Sequence, residues 1–354
     1  MSILRKDPVS SGWVIISEER GQRPSSFDTT KVKKRAGFCP FCEGNEDSTP
    51  PEISAYREPH SRKDGPGWRI RTIPNKFAAL RIEGDVERRG VGMYDMMNGV
   101  GAHEVIIETP EHNANMALYP ADKMYEIITM YRERSIDLMK DQRFKYVQVF
   151  RNYGYSAGAS LDHPHTQLIA LPITPRWVKE ELFYAKEHYE IKERCLFCDI
   201  INQEIDSQSR LIFENDEFIS FAPFASKFPF ETWIIPKRHS ADFKTILESQ
   251  IQQLAIAMPK TLLAINRALS DPPYNLILHS APQLPPERPG VETITDDYHW
   301  HIEIYPRISK MAGFEWGTGF YINTVLPEKA AEYLREALTE EIKIGTPGSQ
   351  EQVS

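Results

Sequence analysis

The feature that most constrains this chain of 354 residues is an ordered pattern that occurs twice. Cys39-Pro40-Phe41-Cys42 is followed by a strand-like run ending near Pro110-Glu111-His112, a helical stretch, a strand, and then His163-Pro164-His165. From Cys195-Leu196-Phe197-Cys198 the series recurs, through a strand-like run ending at Pro236-Lys237-Arg238-His239, a long helix, a strand, and His299-Trp300-His301. The spacings differ, with 70 residues from Cys42 to His112 and 41 from Cys198 to His239, yet the order of elements agrees at each step. Two copies of one ordered pattern point to duplication. We expect an α+β protein of two tandem halves, each an antiparallel sheet with packed helices. The halves divide as 1–193 and 194–344, and 345–354 is expected to be a disordered polar tail.

Apolar periodicity places the elements. Met124, Ile127, Ile128, Tyr131, Leu138 and Met139 follow helical spacing, which predicts a helix over 121–141. Strands are expected at 12–20, 68–73, 77–82, 102–109 and 145–150, and a helix over 175–193 closes the first half. The second half is expected to hold strands at 210–213, 218–222, 231–235, 274–279 and 298–304. Its long helix, 242–269, carries a kink at Pro259, and a last helix starts at Pro327 and runs to about residue 342.

Each half offers two thiols and two imidazoles, the sulfur and nitrogen set that zinc prefers in tetrahedral geometry. The first set is Cys39, Cys42, His112 and His163, and the second is Cys195, Cys198, His239 and His299. Four protein ligands leave no open position, so both sites read as structural zinc sites that anchor loops to the sheet. Redox pairs are the competing reading of Cys-x-x-Cys, but they call for no histidines at matching places in the two halves.

The chemistry then falls to the neighbour of a ligand. His163, His165 and Gln167 alternate on a strand, so they share one face. A small-residue loop with Gly154, Gly158 and Ser160 precedes them, and its backbone can approach an anion closely. A neutral imidazole is a competent nucleophile at phosphorus, which points to nucleotidyl or phosphoryl transfer through His165. The second half has Glu303 where the first has Gln167, and Glu292, Asp296 and Asp297 where the first has its glycine loop. Those carboxylates repel a phosphate, so this half is expected to keep the scaffold without the reaction. His103 and His279 read as core residues or supports of the site.

A net charge of -8 and a pI near 5.8 provide no basic field for nucleic acid, and Lys31 to Arg35 is a short solvated cluster. No apolar run is long enough to span a membrane, and residues 1–6 lack a signal-peptide core. The expectation is a cytoplasmic protein with neither nucleic-acid nor membrane partners.

These residues resemble the histidine-triad superfamily and, within it, the galactose-1-phosphate uridylyltransferase family. The resemblance runs from Arg20-x-x-Arg23-Pro24 to the last strand, and its most specific part is His163-Pro164-His165-x-Gln167. It implies that His165 attacks the α-phosphorus of a nucleoside diphosphate sugar and forms a nucleotidyl-histidine, with ping-pong kinetics. It further implies that Ser160, Asn152 and Gln167 hold phosphate oxygens, with Gly158 in the loop, that Arg20 and Arg23 lie near the phosphates, and that Asn75 lies near the nucleoside.

A sugar 1-phosphate or inorganic phosphate is the expected acceptor, and an isologous homodimer is expected from the family. The leading substrate pair is UDP-glucose with a hexose 1-phosphate, as in galactose metabolism. Alternatives are phosphorolysis of ADP-glucose or a dinucleoside polyphosphate, and a zinc-stabilised nucleotide-binding protein without catalysis. Three features depart from the uridylyltransferase pattern: Lys76 stands where the enteric enzyme has Asp, the Tyr-Glu pair that reads the acceptor hexose is missing from 313–320, and a second Cys-x-x-Cys is present. The Gly317-Thr318-Gly319 run and that second pair are similar to a branch that includes the plant ADP-glucose phosphorylase.

Overall fold

A computed structural model of the chain describes residues 2–17, 37–284 and 292–339. Arg20, Arg23, the end of the last helix and the tail 345–354 lie outside the described residues. The chain opens with β1 (Ile3–Lys6) and β2 (Trp13–Ile16). The first half continues through β3 (Ser54–Arg57), β4 (Trp68–Pro74), the hairpin β5 (Arg89–Val91) and β6 (Tyr94–Met96), and β7 (Ala102–Ile107). Helix α1 (Ala121–Leu138), β8 (Tyr146–Tyr153) and β9 (His165–Leu171) complete it. Helices α2 (Arg176–Lys192) and α3 (Leu196–Ser207) lead to β10 (Leu211–Glu214), β11 (Phe218–Phe221), β12 (Thr232–Pro236), α4 (Glu248–Leu269) and β13 (Tyr274–His279). The short α5 (Ile294–Asp297), β14 (His301–Pro306), α6 (Gly313–Thr318), β15 (Tyr321–Asn323) and α7 (Pro327–Thr339) follow.

The sheets of the two halves are joined into one. Ten strands run in the order β10-β11-β12-β14-β13-β8-β9-β7-β4-β3. Read outward from β13 and β8, the order is the same in both directions, the fourth strand of each half meeting its counterpart at the seam. There Tyr274 pairs with Tyr153, Asn275 with Asn152, and so on to Leu278 with Val149. Left apart, β8 and β13 would each be an edge with unpaired backbone groups, and the antiparallel seam satisfies both.

Helices α1, α4 and α7 cover one face. Met124, Ile127, Ile128 and Leu138 of α1 pack with Leu254, Met258 and Ile265 of α4 and with Ala330 and Leu334 of α7 over Val149, Leu168, Leu276 and Ile302 of the sheet. The i, i+3, i+4 spacing turns these side chains to the sheet, and each fully buried isoleucine or leucine contributes about 1.5–3 kcal/mol.

The opposite face is covered unevenly. Over the second half, Ala185 of α2 and Leu196, Phe197 and Ile201 of α3 pack on Phe221, Trp233 and Ile235. Over the first half, among the described residues, Phe41 of the Cys39–Cys42 turn is the one further apolar side chain packed on Trp68, Ile73, Val105 and Ile107. Thus α2, expected to close the first half, packs on the second, and among the described residues no helix lies on the front of the first half.

Two further expectations are corrected. Residues 77–82 form no strand, because the Phe77 N–H is taken by Asn75 Oδ1 at 2.9 Å and the Ala79 N–H by His103 Nδ1 at 3.2 Å. The segment 242–247 holds a short 3-10 turn, Phe243–Thr245, ahead of α4, which begins at Glu248 and contains Pro259.

Candidate active site

The front of the first half carries the His163-Pro164-His165 stretch, with His165 7% exposed. In the ladder of β8 and β9, Phe150 pairs with Gln167, and continuing that register by two residues places Asn152 opposite His165. On the other side Ile107 pairs with His165 and Val105 with Gln167. Paired residues share a face, so His165, Gln167 and Asn152 form one polar group among apolar neighbours.

His165 Nδ1 donates to the carbonyl oxygen of His163 at 2.7 Å. That leaves Nε2 with its lone pair free, the state a nucleophile needs. Burial, the largest influence, holds His165 below the ordinary imidazole range, so it is neutral near pH 7. The Phe41 ring stands edge-on to it, with centroids 5.4 Å apart.

Gln167 has its own orienting partner. His103 Nδ1 accepts from the Ala79 N–H, so Nε2 carries the proton and donates to Gln167 Oε1 at 2.9 Å. The amide nitrogen of Gln167 is thereby left to donate toward that front. Asn75 sits beside this pair, its amide nitrogen 3.0 Å from His103 Nε2. Gly154 and Gly158 have φ of +81° and +88°, conformations that favour glycine, and fold 155–160 back beside Asn152. Ser160 is exposed at the end of this loop.

Behind the same strands lies a buried ion pair. Glu108 accepts from Arg151 Nε at 2.9 Å and from the Thr166 hydroxyl at 2.7 Å, while Arg151 Nη1 donates to the Tyr274 hydroxyl at 2.8 Å. This links the end of β7, β9, β8 and β13 under the polar group. Charged residues inside the apolar runs at 105–109 and 146–151 are the sequence signal for it, and they do not reveal that the two would pair.

Both ligand sets converge. Cys42 Sγ lies 3.3 Å from His112 Nδ1 and 3.7 Å from His163 Nδ1, and Cys39 Sγ lies 3.7 Å from His163 Nδ1. In the second half Cys198 Sγ lies 3.5 Å from His239 Nδ1 and 3.7 Å from His299 Nδ1. Within each set, which includes Cys195 in the second, the ligand atoms are all within 4.8 Å of one another. Tetrahedral zinc with ordinary bond lengths needs sulfur–nitrogen edges of about 3.5 Å. The outer nitrogens are held by backbone carbonyls: His163 Nε2 by Thr109 at 2.7 Å, His239 Nε2 by Thr295 at 2.9 Å and His299 Nε2 by Pro236 at 3.0 Å. Such carbonyls fix the tautomer that leaves Nδ1 for a metal, so both groups can hold one.

The second half repeats the frame but closes the site. His301 Nδ1 lies 3.1 Å from the carbonyl oxygen of His299, but its ring is fully buried between Trp233 and His279, with centroids 4.8 and 4.7 Å away. Glu303, the counterpart of Gln167, faces His279 Nε2 at 3.0 Å, and Glu181 faces His279 Nδ1 at 2.9 Å. Burial alone would lower the pKa of His279, but the two carboxylates outweigh it and raise it to about 10.

A neutral imidazole with a free Nε2, flanked by amide side chains beside a glycine-bent loop, is an arrangement able to carry a nucleotidyl group, the chemistry of a nucleotidyltransferase. Family models for the galactose-1-phosphate uridyl transferase N-terminal and C-terminal domains match residues 2–175 and 178–343. The chain belongs to the galactose-1-phosphate uridylyltransferase family. It is 36% identical over 338 residues to the ADP-glucose phosphorylase of Arabidopsis thaliana, covering 94% of this chain and 92% of that one. It is 28% identical over 349 residues to the galactose-1-phosphate uridylyltransferase of Thermotoga maritima, covering 96% of this chain and all of that one. Among solved structures, an Arabidopsis thaliana ADP-glucose phosphorylase with bound ADP-glucose matches with a TM-score of 0.78 and 34% identity over 95% of this chain and 98% of that one. A uridylyltransferase structure matches with a TM-score of 0.73 and 30% identity over 97% and 100%. Among the described residues no helix is long and apolar enough to cross a membrane.

Proposed function

We propose that the chain transfers an adenylyl group from ADP-glucose to inorganic phosphate through His165. Nε2 of His165 attacks the α-phosphorus, the bond to the bridging oxygen breaks, and glucose 1-phosphate leaves with the electron pair. A phosphate oxygen then attacks the same phosphorus, the P–N bond breaks, ADP forms, and the imidazole returns to its neutral state.

Gln167 and Asn152 donate to the oxygens on which charge develops, and Ser160 and Gly158 complete the loop side of the phosphate site. Asn75 lies toward the nucleoside, and Arg20 and Arg23 are assigned near the phosphates by family resemblance. Neither step needs a strong proton donor, since glucose 1-phosphate departs as a stabilised phosphate anion and the second leaving group is the imidazole itself, which suits an amide at position 167. Zinc is the metal that the two cysteine and histidine groups suit best, and there it would supply structural anchoring of loops to the sheet.

The observation that favours inorganic phosphate over a hexose 1-phosphate as the acceptor is the segment 313–319. It forms the short helix α6 followed by Gly319 at φ +73°, and it offers no Tyr-Glu pair to read an acceptor hexose. The likeness to an ADP-glucose phosphorylase over nearly the whole chain supports an adenylyl rather than a uridylyl donor. UDP-glucose with galactose 1-phosphate is the second reading, supported by the uridylyltransferase relatives.

Chromatography of the products decides between them. ADP and glucose 1-phosphate from ADP-glucose plus phosphate are expected. UDP-galactose from UDP-glucose plus galactose 1-phosphate, with ADP-glucose untouched, would move the function to the second reading.

A further inference from the structure

Across the seam between the halves, Asn152 of β8 pairs in register with Asn275 of β13. Asn275 spends both hydrogens of its amide nitrogen on the first half, one on Asn152 Oδ1 at 2.8 Å and one on the Ala157 carbonyl oxygen at 2.8 Å. The Ala157 carbonyl can only accept, so it fixes which end of the Asn275 amide faces the loop. Asn152 Oδ1, held by the same nitrogen, is then turned to the seam.

Its own amide nitrogen is turned to the loop, where a Cβ added at Gly158 would lie 3.7 Å from it. The orientation matters because an Asn amide has two ends of opposite polarity and nearly the same shape. Phosphate oxygens attract the NH2 end and repel the carbonyl end. On the opposite side of β13, the Tyr274 hydroxyl accepts from Arg151, so adjacent residues of this strand grip β8 from both faces.

We propose that Asn275 is a positioning residue of the active site: with its own amide oriented by the Ala157 carbonyl, it caps Asn152 Oδ1 and so presents the Asn152 NH2 group to the substrate's phosphate. The second half thereby takes part in nucleotidyl transfer without supplying a catalytic residue. The inference rests on the reading that Asn152 faces the phosphate.

Single-turnover formation of the nucleotidyl-protein adduct tests it, with ADP-glucose and UDP-glucose each offered to the full-length chain. Asn275→Asp keeps the shape but can only accept, so it draws the Asn152 NH2 to itself and leaves the Asn152 carbonyl facing the phosphate. The expected loss is about 100-fold for Asn275→Asp and about 10-fold for Asn275→Ala. In an Asn152→Ala background each change should cost less than about 3-fold, because the residue through which it acts is gone.

Equal penalties in both backgrounds, or an Asn275→Asp rate within about 3-fold of the unchanged chain, would overturn the proposal. Asn275→Ala serves in its place if Asn275→Asp fails to fold, which its melting temperature reports. An unchanged chain that accepts neither donor would overturn the nucleotidyltransfer reading itself, an outcome distinct from a labelled chain whose variants behave alike.

Discussion

His165 Nδ1 lies 2.7 Å from the carbonyl oxygen of His163, so one residue serves the thiol cluster with its ring and the proposed nucleophile with its backbone. The ring anchors the strand end, the carbonyl sets the imidazole tautomer, and Phe41 of the Cys39–Cys42 turn backs the ring it orients. The second half repeats the carbonyl contact from His299 to His301, without an accessible ring.

The two ligand clusters should therefore differ in their effect on catalysis. Elemental analysis is expected to find two zinc ions per chain. Cys42→Ser should lower both the melting temperature and the rate of adduct formation, the latter by about 10-fold or more. Cys198→Ser should lower the melting temperature but leave that rate within about 3-fold, since its cluster supports a buried His301. Equal loss of rate in both variants would contradict this division.

Glu108 and Arg151 form a pair with almost no exposure, 0% and 2% for their side chains. Removing one partner strands the other charge, so Glu108→Gln is expected to cost about 3–5 kcal/mol in urea denaturation. Thr166→Val, which removes one neutral donor to the same carboxylate, should cost about 1–2 kcal/mol.

His279 gives a pH signature of stability. Its pKa rises from 6.5 to about 10 on folding, so its contribution is complete below 6.5 and is lost as pH rises through about 10. Glu181 and Glu303 are lowered, against the effect of their burial, by the same imidazole, and their contribution is lost as pH falls into the carboxylate range. Among the described residues, Lys227, Glu231, His301, Tyr146, Tyr298 and Tyr305 also surround this cluster. Thermal melts of the unchanged chain should decline from pH 6.5 to 10 more steeply than those of His279→Gln. Parallel curves would show that His279 is not the charged partner.

His103 should matter through Gln167. In His103→Leu the glutamine amide loses the donor that holds its oxygen, and the rate of adduct formation is expected to fall about 10-fold. Gln167→Glu places a carboxylate against the phosphate and should cost at least about 100-fold. Single-turnover kinetics with melting curves as a control measure both, and a fall in melting temperature without a fall in rate would assign His103 to stability alone.

Much of this was readable from residue types and spacing. Thiols and imidazoles have few uses in such an arrangement, and the second copy shows which spacings are variable. Period-two alternation accounts for His165 and Gln167 sharing a face. Long-range choices were not readable: nothing near residue 176 says that α2 will cross to the second half, where the Tyr298 hydroxyl donates to Glu181 at 2.7 Å. The apolar run at 77–82 reads as a strand because the capture of its backbone donors by Asn75 and His103 depends on tertiary contact. The role of Asn275 depends on the seam, which the local pattern of either half does not contain.

The central claim is that His165 carries the nucleotide. Intact-protein mass spectrometry after mixing with ADP-glucose, without phosphate, tests it most directly. An added adenylyl group that is absent in His165→Gly and discharged as ADP when phosphate is added is the predicted result. An adduct that persists in His165→Gly, or turnover of ADP-glucose by that variant at the unchanged rate, would contradict it.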